Sequence, residues 1–286
     1  MATASRVVLL TGAAGGIGRV MTQALLADGH RVAAVDRDAA SLERLRALCN
    51  AGDNLLPIPA DLNLEAGCRQ AVEAARARFG AVEAVVNNAG IGQSAIRPDA
   101  EVRHPGIEEL TPEIFDRFFN IFVRAPAIIV RAALPLMKAR GFGRIVNNTT
   151  SYLTMLRVLP YGAAKAALES MSAVWANELE GSPVTVNVLV PGGPTDTPLI
   201  APESGWARDK MLRPQIMGPP IRWLISEESA GFHGRRITAA RWDESLAPAE
   251  AASRASRAIG WPELGGDAVW LTGCRYLRRL STAACG

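Results

Sequence analysis

Tyr161 and Lys165 stand four residues apart in the segment YGAAKAALE, residues 161–169. The chain has only 3 tyrosines, and of its 31 basic residues only Lys138, Lys165 and Lys210 are lysines. Four residues is one helical turn, so the two side chains share a face. A free phenol titrates near pH ~10, and a nearby cation stabilises the phenolate and lowers that value. A compact ammonium on a flexible stem can also enter a proton relay, which a planar guanidinium does not readily do. The spacing therefore suits proton transfer by an activated phenol. It also explains a lysine in a chain that otherwise prefers arginine.

A second group lies near the N-terminus. TGAAGGIG, residues 11–18, follows an apolar run and precedes a helical pattern. Gly12, Gly16 and Gly18 let the chain turn tightly and let a pyrophosphate approach a helix N-terminus. Asp36 follows 18 residues after Gly18, at the end of a second apolar run. An acid there accepts both ribose hydroxyls of an adenosine and repels a 2′-phosphate. NAD is the expected dinucleotide, with NADP as the alternative that the adjacent Arg37 allows.

These residues need a scaffold. Apolar runs at 6–12, 31–36, 55–62 and 82–90 alternate with helical patterns at 16–30, 39–52 and 65–80. The alternation continues with helices at 111–141, 161–181 and 219–229 and strands at 143–151, 184–193 and 235–243. Such alternation predicts βαβ units and an α/β fold, a single Rossmann-like doubly wound domain with a central parallel sheet flanked by helices. The domain is expected over residues 1–243, leaving 244–286 as a peripheral helix near 247–258 and a basic, aromatic tail. Two long loops, 91–110 and 193–218, interrupt the rhythm. Both follow strands, at the sheet end where open α/β folds bind ligands.

TGxxxGxG at 11–18, NNAG at 87–90 and YxxxK at 161–165 occur in that order. Together they resemble the short-chain dehydrogenase/reductase family over roughly residues 5–240. The resemblance implies an NAD(P)-dependent oxidoreductase that moves a hydride between the nicotinamide and a secondary alcohol or ketone. Tyr161 is then the general acid in reduction and the base in oxidation, with Lys165 also binding the nicotinamide ribose. Gly12, Gly16, Ile17 and Gly18 form the phosphate turn, and Asp36 and Arg37 flank the adenosine. Asp61, Leu62, Asn88, Ala89, Gly90, Pro191 and Gly192 complete the cofactor contacts. Thr197, or alternatively Thr195, binds the carboxamide. Asn120 takes the place of an asparagine that kinks a helix and holds a relay water.

The sequence departs from the family at the catalytic hydroxyl. The usual spacing, thirteen residues before the tyrosine, falls on Asn148. Strand register favours Thr150 and hydroxyl chemistry favours Ser151, so both are candidates for polarising the carbonyl. That irregular spacing is the one feature favouring a second reading, a cofactor-sensing regulatory protein without turnover. Within the enzyme class, sugar or polyol, acyl-thioester and steroid or xenobiotic substrates remain open. A basic entrance from Arg97, Arg103, Arg208 and Arg213 would suit an acyl carrier. Trp206, Met211 and Met217 either roof a substrate or anchor their loop. His30, His104 and His233 are scattered and read as surface or loop residues.

Composition narrows the partners. Net charge is +3 with no basic block, which gives no electrostatic case for nucleic acid. The 4 cysteines, at 49, 68, 274 and 285, form no metal-binding spacing and read as reduced thiols of a cytoplasmic protein. Nothing near residue 6 resembles a signal peptide. The longest apolar run, near 125–137, is broken by Arg131 and is shorter than a bilayer requires. Family relatives are usually homotetramers, and apolar residues on several faces of 111–139 and 161–181 suggest a homo-oligomer, tetramer or dimer.

Overall fold

A computed structural model describes residues 4–263. The tail from 264 onward, with Cys274, Tyr276 and Cys285, lies outside the described residues.

The sheet has eight strands in the order β3-β2-β1-β4-β5-β6-β7-β8. These are β1 Val7–Thr11, β2 Arg31–Asp36, β3 Leu55–Pro59, β4 Ala84–Asn87, β5 Gly143–Asn148, β6 Val184–Val190, β7 Arg235–Thr238 and β8 Ser256–Ala258. β1 to β7 run parallel, and β8 pairs antiparallel with β7. Strand side chains alternate between two helical layers. Val7 and Leu9 face one core and Val8 and Leu10 the other. Burial on both faces is why these strands read as continuous apolar runs.

One layer holds α3 Glu65–Phe79, α4 Pro112–Phe119, α5 Ala125–Arg140 and α7 Tyr161–Glu178. The other holds α1 Gly16–Ala27, α2 Ala39–Cys49, α8 Gly218–Ile225 and α9 Pro248–Ala255. The short α6, Tyr152–Met155, follows β5 and packs against α7. The parallel sheet and its flanking helices match the architecture expected from the sequence.

Three expectations change. Residues 244–258 are not peripheral to the domain. α9 buries Ala251, Ala252 and Ala255 in the second core, and β8 lengthens the sheet. The stretch 111–141 is not a regular helix, because a π-helical turn at Asn120–Arg124 separates α4 from α5. With that turn the helical run reaches 29 residues, Pro112–Arg140, long and apolar enough by length and composition to cross a membrane. The apolar segment anticipated there was shorter. In this fold Phe118, Phe122, Ile129, Ala133 and Met137 of that run are buried against α3 and the sheet.

Candidate active site

The C-terminal edge of the sheet gathers the two motifs. β1 ends at Thr11, and the chain turns at Gly12 with φ +63°. A Cβ on Gly12 would come 2.7 Å from Ala89 Cα, and one on Gly18 would sit 1.9 Å from the Gly12 carbonyl oxygen. Neither space admits a side chain. α1 begins after Gly15, which supplies no side-chain cap. Its first N–H groups therefore face the loop, as an anion-binding helix start requires. The Asp36 carboxylate accepts a hydrogen bond from Ala14 N at 3.2 Å, so the acid at the end of β2 borders this turn.

Thr11 holds the turn to β4. Its hydroxyl accepts from Asn88 N and Ala89 N, each at 3.0 Å, and donates to Val86 O at 3.3 Å. Asn88 Nδ2 donates back to Thr11 O at 3.0 Å and Gly12 O at 3.2 Å. The NNAG segment thus fixes the glycine turn from behind, and Gly90 lies against the Phe122 ring. Arg37 and Asp61 are exposed beside this edge, whereas Leu62 is buried in the core. Ile17 packs partly buried against the second core. The long loop after β6 reaches the same place, since a Cβ on Gly16 would lie 2.5 Å from Thr197 Cγ2. Thr195 instead donates to Gly193 O at 3.1 Å, within its own loop. These two observations separate the candidates by position. Pro191 and Gly192, with φ +107° at Gly192, open that loop.

Tyr161 starts α7 and Lys165 lies one turn further on. Lys165 Nζ donates to Asn148 O at 2.6 Å and lies 4.4 Å from the centre of the Phe122 ring. Phe122 in turn meets Tyr161 edge to face at 5.3 Å. Burial pushes Lys165 down to about 7. Burial pushes Tyr161 up to about 12, against a hydrogen bond with the Thr150 side chain that lowers it and the charge of Glu101 that adds to the rise. Low dielectric thus disfavours both charged forms in the ligand-free site. A negative charge on the phenol would favour the ammonium, and the reverse.

The two hydroxyl candidates part here. Thr150 is the hydroxyl that acts on Tyr161, since its side chain lowers the phenol's pKa. Ser151 caps α6, accepting from Thr154 N at 3.1 Å and sharing a hydrogen bond with Thr154 Oγ1 at 2.8 Å. Asn148, at the usual thirteen-residue spacing, commits its carbonyl to Lys165. Asn120 begins the π turn, which bends the helix and delivers Phe122 onto Tyr161 and Lys165.

A buried ionic network supports this side. Arg236 on β7 lies 3.4 Å from Glu169 of α7, with side-chain exposures of 4% and 0%. Arg236 Nη2 also donates to Thr150 O at 2.5 Å, and Thr149 Oγ1 donates to Glu169 at 2.6 Å. Tyr152 OH donates to Gly260 O at 2.6 Å and contacts Glu169 at 3.4 Å. Sequence reasoning missed Thr11, Phe122, Arg236 and Glu169. Thr11 stood inside a motif already quoted. Arg236, inside the strand pattern RRIT, offered one signal: a charge at a position that should be buried.

Other expectations are corrected. His30 does lie in a loop, before β2 at the opposite end of the sheet, but is fully buried there, accepting from Arg6 N at 3.2 Å, and burial lowers its pKa. Met217 is 0% exposed in the second core, so it anchors its loop rather than roofing a substrate. The anticipated basic entrance is largely offset, four guanidinium groups sharing three carboxylates. Arg97 pairs with Asp99 and Glu109, Arg103 with Asp99, and Arg208 and Arg213 with Asp196.

Comparison with known proteins agrees with this geometry. The family model for short chain dehydrogenase matches residues 6–207. The 2-(R)-hydroxypropyl-CoM dehydrogenase of Xanthobacter autotrophicus is 33% identical over 219 residues, 74% of this chain and 82% of that protein. Human L-xylulose reductase is 35% identical over 191 residues, 66% of this chain and 71% of that protein. Among solved structures, a 3-ketoacyl-(acyl-carrier-protein) reductase from Brucella melitensis complexed with NADH superposes with a TM-score of 0.66 at 31% identity, covering 78% of this chain and 92% of its own. The chain belongs to the short-chain dehydrogenase/reductase family and is an NAD(P)-dependent oxidoreductase.

Proposed function

We propose that the protein interconverts a secondary alcohol and a ketone, with Tyr161 moving the proton at the substrate oxygen. The observation that carries this reading is the grouping of partly buried Tyr161, the Thr150 side chain that lowers its pKa, and buried Lys165 one turn away. In reduction the Tyr161 hydroxyl gives its proton to the carbonyl oxygen, and in oxidation the phenolate takes it from the alcohol. Thr150 holds the same oxygen and polarises the carbonyl. Lys165 stabilises the charge that develops on Tyr161. The nicotinamide, when bound, supplies or accepts the hydride. The turn at Gly12, Gly16 and Gly18 would hold its pyrophosphate, Asp36 the adenosine ribose, and Thr197 the carboxamide end. The Asp36 carboxylate beside that turn favours NAD over NADP. Placement of the Thr150 side chain against Tyr161 supports Thr150 as the hydroxyl and weighs against a sensor without turnover. Exposed Phe115 on α4 and Val174 on α7 support association of copies through these helices.

Reduced-nicotinamide absorbance, followed with NAD(H) and NADP(H) separately over a panel of ketones and secondary alcohols, tests the assignment. Tyr161→Phe should lower kcat by about 10³-fold, and Thr150→Ala by about 10²-fold. Ser151→Ala should have the smaller effect on kcat and cost about 1 kcal/mol of stability as a lost cap. Near-normal turnover in Tyr161→Phe, or a larger kcat loss at Ser151 than at Thr150, would overturn it.

A further inference from the structure

A cavity of about 330 Å³ opens at the C-terminal ends of β6 and β7, directly outside Ser151 and Gly192. Tyr152 and Leu153 of α6 form one wall, and the β7–β8 side and the end of α9 form the other. Four guanidinium groups line it, from Arg236, Arg241, Arg254 and Arg257. Two are already committed. Arg236 faces Glu169, and Arg254 pairs with Glu250 at 2.6 Å. Arg241 and Arg257 have no carboxylate partner among the described residues. This contrasts with the loop arginines at 97, 103, 208 and 213, each of which is paired with an acid.

The cavity is tied to the reacting groups. Arg236, in its wall, donates to the carbonyl of Thr150, whose side chain lowers the pKa of Tyr161. Arg257 lies over the Tyr152 ring at 4.4 Å. Stacking uses the face of a guanidinium and leaves its in-plane N–H donors free for an oxyanion. Arg241 follows β7 in a short turn and is exposed. Two unpaired guanidiniums on a polar cavity beside the site match an acidic group presented with two or three oxygens.

We propose that this cavity is an anion subsite of the active centre. It receives a carboxylate, sulfonate or phosphate carried by the alcohol or ketone substrate, held by Arg241 and Arg257, while the reacting carbon lies at Thr150 and Tyr161. The proposal rests on the dehydrogenase reading above and adds the substrate class to it.

The test uses the full chain, as wild type, Arg241→Ala, Arg257→Ala and Arg257→Lys. The substrates are methyl-ketone carboxylates of increasing length from 4-oxopentanoate upward, their neutral methyl esters, and the matching sulfonates and phosphonates. The readout is the ratio of kcat/KM for each anion to that of its neutral partner, which also shows which oxyanion the cavity prefers. In wild type the ratio should exceed about tenfold at one chain length and drop by about tenfold on losing either arginine. Arg257→Lys should recover part of the loss, and added salt should shrink the ratio. A wild-type ratio near one, or a ratio that neither alanine variant changes, overturns the subsite and leaves the dehydrogenase standing. If no ketone turns over, the dehydrogenase reading fails separately. Calorimetric titration of the same anions then judges the cavity alone: binding weakened in Arg241→Ala supports it, and absent or unaltered binding overturns it. Arg241 is an exposed turn residue, so its variant keeps the test decisive if Arg257→Ala does not fold.

Discussion

The two halves of the sheet hold their shares of the site by different chemistry. On the β1–β4 side, the glycine turn is fixed by neutral hydrogen bonds between Thr11, Asn88 and main chain. On the β5–β8 side, Thr150 is held by Arg236, and the charge of Arg236 is balanced by a fully buried Glu169. The first arrangement fixes a glycine turn with backbone N–H groups at a helix start, the side proposed for the cofactor. The second fixes the side chains proposed for the substrate. A neutral clamp loses one or two hydrogen bonds when cut. A buried charge pair, cut on one side, leaves an uncompensated ion, which costs far more.

Arg236→Met should therefore be the most damaging change. It strands Glu169 and should lower stability by about 3–5 kcal/mol, seen as an earlier midpoint in urea. Its folded fraction should still bind dinucleotide as wild type does, because the β1–β4 side is untouched. Equal loss of cofactor affinity would break the division into halves. Thr11→Val should act in the opposite pattern. It leaves two main-chain N–H donors without an acceptor, at a cost of about 1–3 kcal/mol. Calorimetry should show weaker dinucleotide binding, roughly tenfold, with little effect on discrimination between substrates.

The smallest effect sharpens the comparison at its junction, where Lys165 reaches across to Asn148. Its folded pKa of about 7 lies below the ordinary 10.5, through burial. Between those values the unfolded chain binds a proton that the folded chain does not. Wild-type stability should thus rise with pH across that window and stay flat below it. Tyr161, pushed from 10.0 to about 12, acts in the reverse sense at higher pH, so the measurement belongs below pH ~10. Lys165→Met should abolish turnover, remove this slope and raise Tm near neutral pH by roughly 2–4 °C, about 1 kcal/mol for a chain of this size. An unchanged slope would show that Lys165 carries no burial penalty.

Legibility followed the same division. The glycine turn, Asp36, NNAG and the Tyr161–Lys165 spacing were readable because each is a local run whose conformation depends on near neighbours. The hydroxyl was not, because Thr150 and Ser151 are adjacent and only the start of α6 turns one into a cap and the other toward Tyr161. Four arginines in the loops looked like a basic entrance, yet each is paired with one of three acids from the same loops. Of the two cavity arginines without a carboxylate partner among the described residues, Arg241 stood in the last expected strand and Arg257 in the segment read as peripheral.

The sequence by itself determined the parallel α/β sheet, the dinucleotide turn and the phenol–ammonium pair, since period, glycine placement and helical spacing are local properties of the chain. Tertiary structure alone decided which of the two hydroxyls lies by Tyr161 and which caps α6, and that α9 packs on the sheet while β8 extends it. Those outcomes depend on contacts such as Arg236 with Glu169 and Tyr152 with Gly260, made between segments 67 and 108 residues apart. No local pattern encodes such contacts, because they form only when the sheet brings distant strands and helices to one edge.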